Sequence, residues 1–138
     1  MVSNSAQDTF AAGRRIAGVL SAGSVVALQG TLGSGKTVLA GGIAGGLGIG
    51  ENITSPTYTI INEYESSPAL YHIDAYRLND DRDFRNIGGD EIINSAGISV
   101  IEWSERIPES LPDNAIKVSI EITGPASRLI KISIPEKT

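Results

Sequence analysis

No stretch restricts this chain more than Gly30-Thr31-Leu32-Gly33-Ser34-Gly35-Lys36-Thr37. It fits G-x-x-x-x-G-K-[ST] and follows an apolar run, Val25 to Leu28, that reads as a buried strand. A phosphate chain needs many donors converging on one point with no side chain in the way. Glycines at 30, 33 and 35 let the backbone curl its N–H groups inward into an anion-holding nest. A helix opening near Lys36 adds the positive end of its dipole; Lys36 is placed to reach the terminal phosphates and the Thr37 hydroxyl suits Mg²⁺. The pattern therefore predicts a strand, a phosphate loop and a helix that together hold a nucleoside triphosphate.

Around that unit the chain reads as alternating elements. Ser5 with Asp8 resembles a capping box, and Phe10, Ile16, Val19 and Leu20 are spaced for one buried face, predicting a helix over about 6–21. A strand follows over about 24–29, and then the helix after the loop, ending near Leu47 with Gly48 as its cap. That helix carries Gly41, Gly42, Gly45 and Gly46, each costing about 1 kcal/mol relative to alanine. Close packing against the sheet is the favoured account and a helix kept labile beside the site the other. Thr57 to Glu65 and Ala69 to Asp74 read as two strands of a hairpin turned at Ser66-Ser67-Pro68. Short surface helices are expected between Leu78 and Asn94, an apolar strand from Ile98 to Glu102, and a closing hairpin from 115–123 and 129–134. The expected fold is α/β, a P-loop NTPase-like three-layer arrangement: a mixed central sheet, helices on its faces and a C-terminal antiparallel hairpin.

At 138 residues the chain is expected to form one domain, residues 1–138, with a core that needs no staples. It has no cysteine, and Asp8, Arg14 and Arg15 interrupt anything like a signal peptide, so a reduced cytoplasmic location is expected and membrane association is not. A net charge of −5 with scattered Lys and Arg argues against gripping nucleic acid unaided.

A phosphate loop of this kind needs a carboxylate from a neighbouring strand to hold Mg²⁺, directly or through water. Glu102 ends the most apolar candidate strand and Asp74 ends a mixed one. His72, the only histidine, reads as a packed or solvated strand residue rather than a catalyst, and Trp103 as either a cover for the nucleotide or core. The polar segment Asn52 to Tyr58 lies where nucleotide switches keep a threonine that senses the terminal phosphate.

In order, G-x-L-G-S-G-K-T, T-S-P-T-Y, Y-H-I-D-A-Y-R-L, G-x-x-E-I and V-I-E-W closely resemble the motifs of the bacterial TsaE family, formerly YjeE, over Gly30 to Trp103. The resemblance implies a small ATPase required to make threonylcarbamoyl-adenosine in tRNA beside the anticodon, acting with the TsaB and TsaD proteins and touching tRNA only through that complex. It implies that Gly33, Ser34, Gly35, Lys36 and Thr37 hold the ATP phosphates, that Thr37 and Glu102 are the Mg²⁺ ligands, and that Asp74 is an essential acidic residue. Thr54 and Thr57 match the family's switch-like loop, Trp103 its tryptophan after the metal carboxylate, and Thr9 and Arg128 the segments bordering the nucleotide. Two departures stand out: Ser104 replaces the usual proline after Glu-Trp, and the helix after the loop is unusually rich in glycine.

Taken together, Lys36, Asp74 and Glu102 are the expected catalytic residues of an ATPase that is slow alone and faster with partners. A small-molecule P-loop kinase and a nucleotide-binding regulatory switch are the alternatives. The kinase reading wants an arginine-rich lid, for which Arg82 and Arg85 are the pair lying close together after the phosphate loop, and a guanine-reading N-K-x-D motif is absent.

Overall fold

The computed structural model describes residues 1–31, 33–50, 53 and 60–135. The elements run β1 (Val2–Ser3), α1 (Ala6–Ala17), β2 (Val25–Gly30), α2 (Lys36–Gly46), β3 (Ile61–Tyr64) and β4 (Leu70–Asp74). They continue with α3 (Asp81–Asn86), α4 (Gly89–Ile93), β5 (Ile98–Glu102), β6 (Ile116–Ile122) and β7 (Arg128–Ser133). Single 3₁₀ turns at Ala75–Arg77 and Ser104–Arg106 follow β4 and β5. The strands form one mixed sheet in the order β1-β7-β6-β2-β5-β4-β3. β6, β2, β5 and β4 are parallel; β3, β7 and β1 pair antiparallel at the two edges.

Helices cover both faces of the sheet, as the three-layer expectation requires. Alternation along each strand sends Val26, Leu28, Leu70, Ile98 and Val100 to the face under α1 and α2, where they meet Ile16, Leu39 and Ile43. Val25, Ile73 and Ile101 face the other side and pack with Phe84 of α3 and Ile93 of α4. Phe84 is fully buried, a contribution of about 2–3 kcal/mol from one side chain on a six-residue helix. That helix is started by Asp80, whose carboxylate accepts from the Asp83 N–H at 3.0 Å.

Two boundaries, one short strand and one packing partner differ from the sequence reading. Ser5 does cap α1, accepting from the Asp8 N–H at 3.1 Å, but the helix ends at Ala17 rather than near 21. From Gly18 the N–H groups bond three residues back, to Arg15, Ile16 and Ala17 in turn, and Val19 is 55% exposed. Leu20 still packs partly against the core, but from the turn beyond the helix rather than from a continued helical face. The strand expected from Thr57 is seen from Ile61; 57–59 lie outside the described residues. Strand β1 was not anticipated: two residues are too few for a period-two pattern, and their pairing with β7 is long-range.

The glycines of α2 do pack closely, but against α1 rather than the sheet, which the helix meets through Leu39 and Ile43. A Cβ on Gly42 would lie 2.0 Å from the Phe10 carbonyl oxygen and one on Gly46 2.5 Å from the Ala17 Cβ, while on the facing helix Gly13 approaches the Leu39 carbonyl oxygen to 2.2 Å in the same sense. The helices therefore touch backbone to backbone, which any side chain at these positions would prevent. Gly48 takes its expected place just past the helix with φ of 81°. Among the described residues no helix is long and apolar enough to cross a membrane.

Candidate functional site

The site forms where β2, β5 and β4 end side by side, the carboxyl edge at which open α/β sheets bind ligands. Its first half is the loop between β2 and α2. Gly35 has φ of 105°, a conformation that turns the chain into α2 and that a side chain rarely permits. It is the N-cap of α2 with no side-chain cap, and the first turn carries no acidic residue. The helix thus offers its N–H groups and positive end to the loop without an internal carboxylate competing for them.

Arg128, at the start of β7, braces this loop from outside. Its Nε donates to the Ser34 carbonyl at 3.0 Å and Nη2 to the Gly33 carbonyl at 3.3 Å. A trans peptide sets its C=O and N–H on opposite sides, so holding the Ser34 oxygen outward aims the Gly35 N–H inward. The guanidinium also donates to Gly124 and Ser127 carbonyls. Thr9 is buried on α1, its hydroxyl paired with Ser3 Oγ at 2.7 Å. Thr9 and Arg128 line a cavity of about 300 Å³ beside Gly33 to Gly35, with Pro125 and Ala126 on its far side.

The second half is acidic and is assembled by register. In the parallel pairings Leu28 of β2 and Asp74 of β4 both lie level with Glu102 of β5. Glu102 is 3% exposed and accepts from the Thr37 hydroxyl at 3.3 Å through Oε1. Its other oxygen, Oε2, lies 2.5 Å from His72 Nε2, in a pair shut off from solvent. Asp74 is half-buried; its Oδ1 accepts from the Tyr76 N–H at 3.0 Å and starts the 3₁₀ turn. Asp74, Tyr76, Glu102, Trp103 and the loop from Gly33 to Val38 enclose a cavity of about 420 Å³, within the range of small-ligand sites.

Lys36 joins the two halves. Its ammonium is nearly buried, donates to the Gly30 carbonyl, and sits 3.5 Å from the centre of the Trp103 ring. Desolvation lowers its pKa from 10.5, and the charges of Glu102, Glu105 and Asp74 oppose that shift. Trp103 reaches this position from a left-handed backbone, φ 59°, the one positive-φ residue other than glycine among those described. Such a conformation costs about 1–2 kcal/mol. Around it, the Tyr76 ring packs at 5.0 Å and the buried Ser104 hydroxyl donates to the Leu28 carbonyl at 3.1 Å. Ser104, where the motif set usually has proline, thus ties the turn after β5 back to β2.

The structure brings together Gly33 to Thr37, Asp74, Glu102 and Trp103 around one cavity and places Thr9 and Arg128 around the adjoining one. Thr54 and Thr57 lie outside the described residues. His72 was read as a packed or solvated residue. It is packed, but against the site carboxylate, and the available signal was its position two residues before Asp74 on the same strand face.

The residues fit a magnesium nucleotide. The Ser34 hydroxyl is buried in the loop without a hydrogen-bond partner in the structure, and a Cβ on Gly33 would meet nothing within 4 Å. The loop interior is therefore open on that side. One hydroxyl and one carboxylate are a donor set that leaves most of an octahedral shell to water and phosphate; no group of three or more His, Cys, Asp or Glu able to hold a metal occurs among the described residues.

The chain also resembles known proteins over nearly its whole length. The family model described as "Threonylcarbamoyl adenosine biosynthesis protein TsaE" matches residues 3–130. The chain is 44% identical to the "tRNA threonylcarbamoyladenosine biosynthesis protein TsaE" of Treponema pallidum (strain Nichols), over 96% of this chain and 98% of that one. It is 38% identical to the protein of the same name from Bacillus subtilis (strain 168), over 90% and 78% of the two chains. A solved structure titled "Crystal structure of Bacillus subtilus YdiB" superposes with a TM-score of 0.80 at 32% identity, covering 97% of this chain and 83% of that one.

Proposed function

Since the chain belongs to the TsaE family, we propose that it serves tRNA threonylcarbamoyladenosine biosynthesis as an ATP-binding and ATP-hydrolysing protein acting with TsaB and TsaD. The observation that carries this reading is the single cavity in which the loop from Gly33 to Thr37 faces Glu102 and Asp74. A triphosphate and a carboxylate repel each other unless a cation lies between them, so a loop that collects phosphate opposite two acids calls for a divalent metal.

In this reading the inward N–H groups of the loop and the start of α2 bind the phosphates, and Lys36 leaves the Gly30 carbonyl and the Trp103 ring to reach the terminal one. Thr37 and Glu102 hold Mg²⁺, which supplies Lewis-acid neutralisation of the charge that develops on the phosphate oxygens. Asp74 stands level with Glu102 and, with one oxygen engaged by the Tyr76 amide, orients the attacking water with the other. Trp103 and Tyr76 wall the cavity and exclude bulk water; Thr9 and Arg128 border the adjoining cavity, where the rest of the nucleotide lies. Gly33, Ser34 and Gly35 contribute main chain. The whole chain acts as one ATPase domain in the cytoplasm.

No arginine among the described residues lines the cavity opposite Lys36, and hydrolysis in isolation is accordingly slow. The experiment is reconstitution of tRNA modification with purified TsaB and TsaD, following ATP turnover with and without them. Wild type is expected to turn over faster in the presence of the partners, and Lys36→Ala and Glu102→Ala to give no modified tRNA. Equal turnover with and without partners, or full modification by either variant, contradicts the reading.

A further inference from the structure

We infer that His72 is a positioning residue for Glu102: it clamps one carboxylate oxygen so that the other is presented to the metal side of the cavity. This rests on the reading of Glu102 as the metal carboxylate. The His72 side chain is 1% exposed and its Nε2 lies 2.5 Å from Oε2, while Oε1 faces the Thr37 hydroxyl at 3.3 Å. A carboxylate only accepts, so Nε2 carries the hydrogen. The Thr37 hydroxyl also lies 3.5 Å from Oε2, so what distinguishes the two oxygens is His72: it holds Oε2 from the core side and leaves Oε1 to the loop.

Register fixes this division. His72 lies level with Val100 in the β4–β5 pairing, two residues below the Asp74–Glu102 level, and residues two apart on a strand share a face. The imidazole thus reaches diagonally upward to Glu102 from beneath, a span that a shorter side chain at position 72 leaves empty. The terminal torsion of glutamate is broad when nothing holds it. One contact to Oε2 is enough to fix it.

The rest of the ring is poorly served by its surroundings. Nδ1 is buried without a hydrogen-bond partner in the structure, an arrangement that weighs against the fold. A residue kept only to fill the layer between Leu70 and Asp74 would be better as leucine or phenylalanine. The ring's one satisfied polar contact is with the carboxylate. Partners that orient metal-bound carboxylates typically change metal affinity by about 10–100-fold when removed, and that is the size of effect expected here.

The test is calorimetric binding of a non-hydrolysable ATP analogue in EDTA and across a Mg²⁺ series. It uses wild type, His72→Leu, His72→Gln and Glu102→Ala, with thermal melts for each. His72→Leu is expected to bind the analogue in EDTA within about twofold of wild type while the Mg²⁺ concentration for half-maximal tightening rises by about 10–100-fold. His72→Gln, which keeps a donor near the Nε2 position, is expected to recover most of that loss. A wild-type Mg²⁺ midpoint in His72→Leu, or equal losses in the leucine and glutamine variants, overturns the inference. If Glu102→Ala loses the Mg²⁺ response and His72→Leu keeps it, the inference fails and the reading of Glu102 stands; if Glu102→Ala also keeps it, both fail. Should His72→Leu not fold, the sole histidine of the chain gives one pair of ring ¹⁵N signals in the wild type. A change in the Nε2 signal on adding Mg²⁺ to the analogue-bound protein supports the clamp, and an unchanged signal overturns it.

Discussion

The phosphate-facing half of the site is made of consecutive residues, Gly33 to Thr37, using main chain and one lysine. The acidic half joins side chains that are 30 positions apart in sequence, His72 and Glu102, and comes into being only when β4 and β5 align. The first is encoded locally, by where glycine permits a turn. The second is encoded by strand register, in which a slip of one residue would send every one of these side chains to the opposite face. Apart from the Arg128 brace, the loop's chemistry is thus carried by its own sequence, whereas the acids depend on packing elsewhere in the sheet.

The sharpest way to separate the halves is to remove the lysine. Lys36→Met keeps the aliphatic stem and is expected to weaken ATP binding about 100-fold or more, roughly 2.7 kcal/mol, while leaving the His72–Glu102 pair in place; calorimetry reads the first and the ring ¹⁵N signals the second. The same variant isolates a pH effect. Because desolvation lowers the folded lysine's pKa from 10.5, the folded chain binds that proton less tightly than the unfolded chain. The penalty is full below the folded pKa and is relieved as pH rises toward 10.5. Wild type is therefore expected to gain stability relative to Lys36→Met as pH rises through that window, measured by urea unfolding at several pH values.

Next in size is the helix pair beneath the loop. Gly42→Ala places a Cβ 2.0 Å from the Phe10 carbonyl oxygen, which forces α1 and α2 apart at a cost of about 2 kcal/mol. Gly41→Ala, one residue away, meets only the Phe10 ring at 3.7 Å and is expected to gain about 0.5–1 kcal/mol from helix propensity. Denaturant unfolding of the two variants distinguishes close packing from a helix kept labile, since lability predicts that both substitutions stabilise. Smallest is Ser104→Ala, which removes the donor to the Leu28 carbonyl and is expected to destabilise by about 1 kcal/mol. Its effect should fall on the Trp103 side of the cavity and spare the loop, visible as altered fluorescence of the only tryptophan.

This contrast also explains what could be read before the fold was known. The octapeptide, its preceding strand and the helix after it were legible because each is a local pattern: an apolar run, three glycines, a lysine and a hydroxyl at fixed spacing. Glu102 and Asp74 were legible as strand ends, and their pairing level with one another follows from the register. The backbone-to-backbone contact of α1 with α2 was half legible, since glycine announces a close approach but not what approaches. His72 was legible as a packed residue but its partner was not, because a lone histidine on a strand carries no signal of what lies diagonally across from it. Ser104 was noticed only as a departure from a motif; its role depends on the Leu28 carbonyl 76 positions away.

In the proposed reading Glu102 couples a metal to a phosphate-binding loop that works without it. The most direct measurement of that coupling is ATP affinity of wild type and Glu102→Ala in EDTA and in saturating Mg²⁺. Removing a carboxylate beside the triphosphate should leave metal-free binding unchanged or slightly tighter and abolish the tightening by Mg²⁺. A variant that keeps the wild-type Mg²⁺ response, or that loses metal-free binding while still folded, contradicts the account.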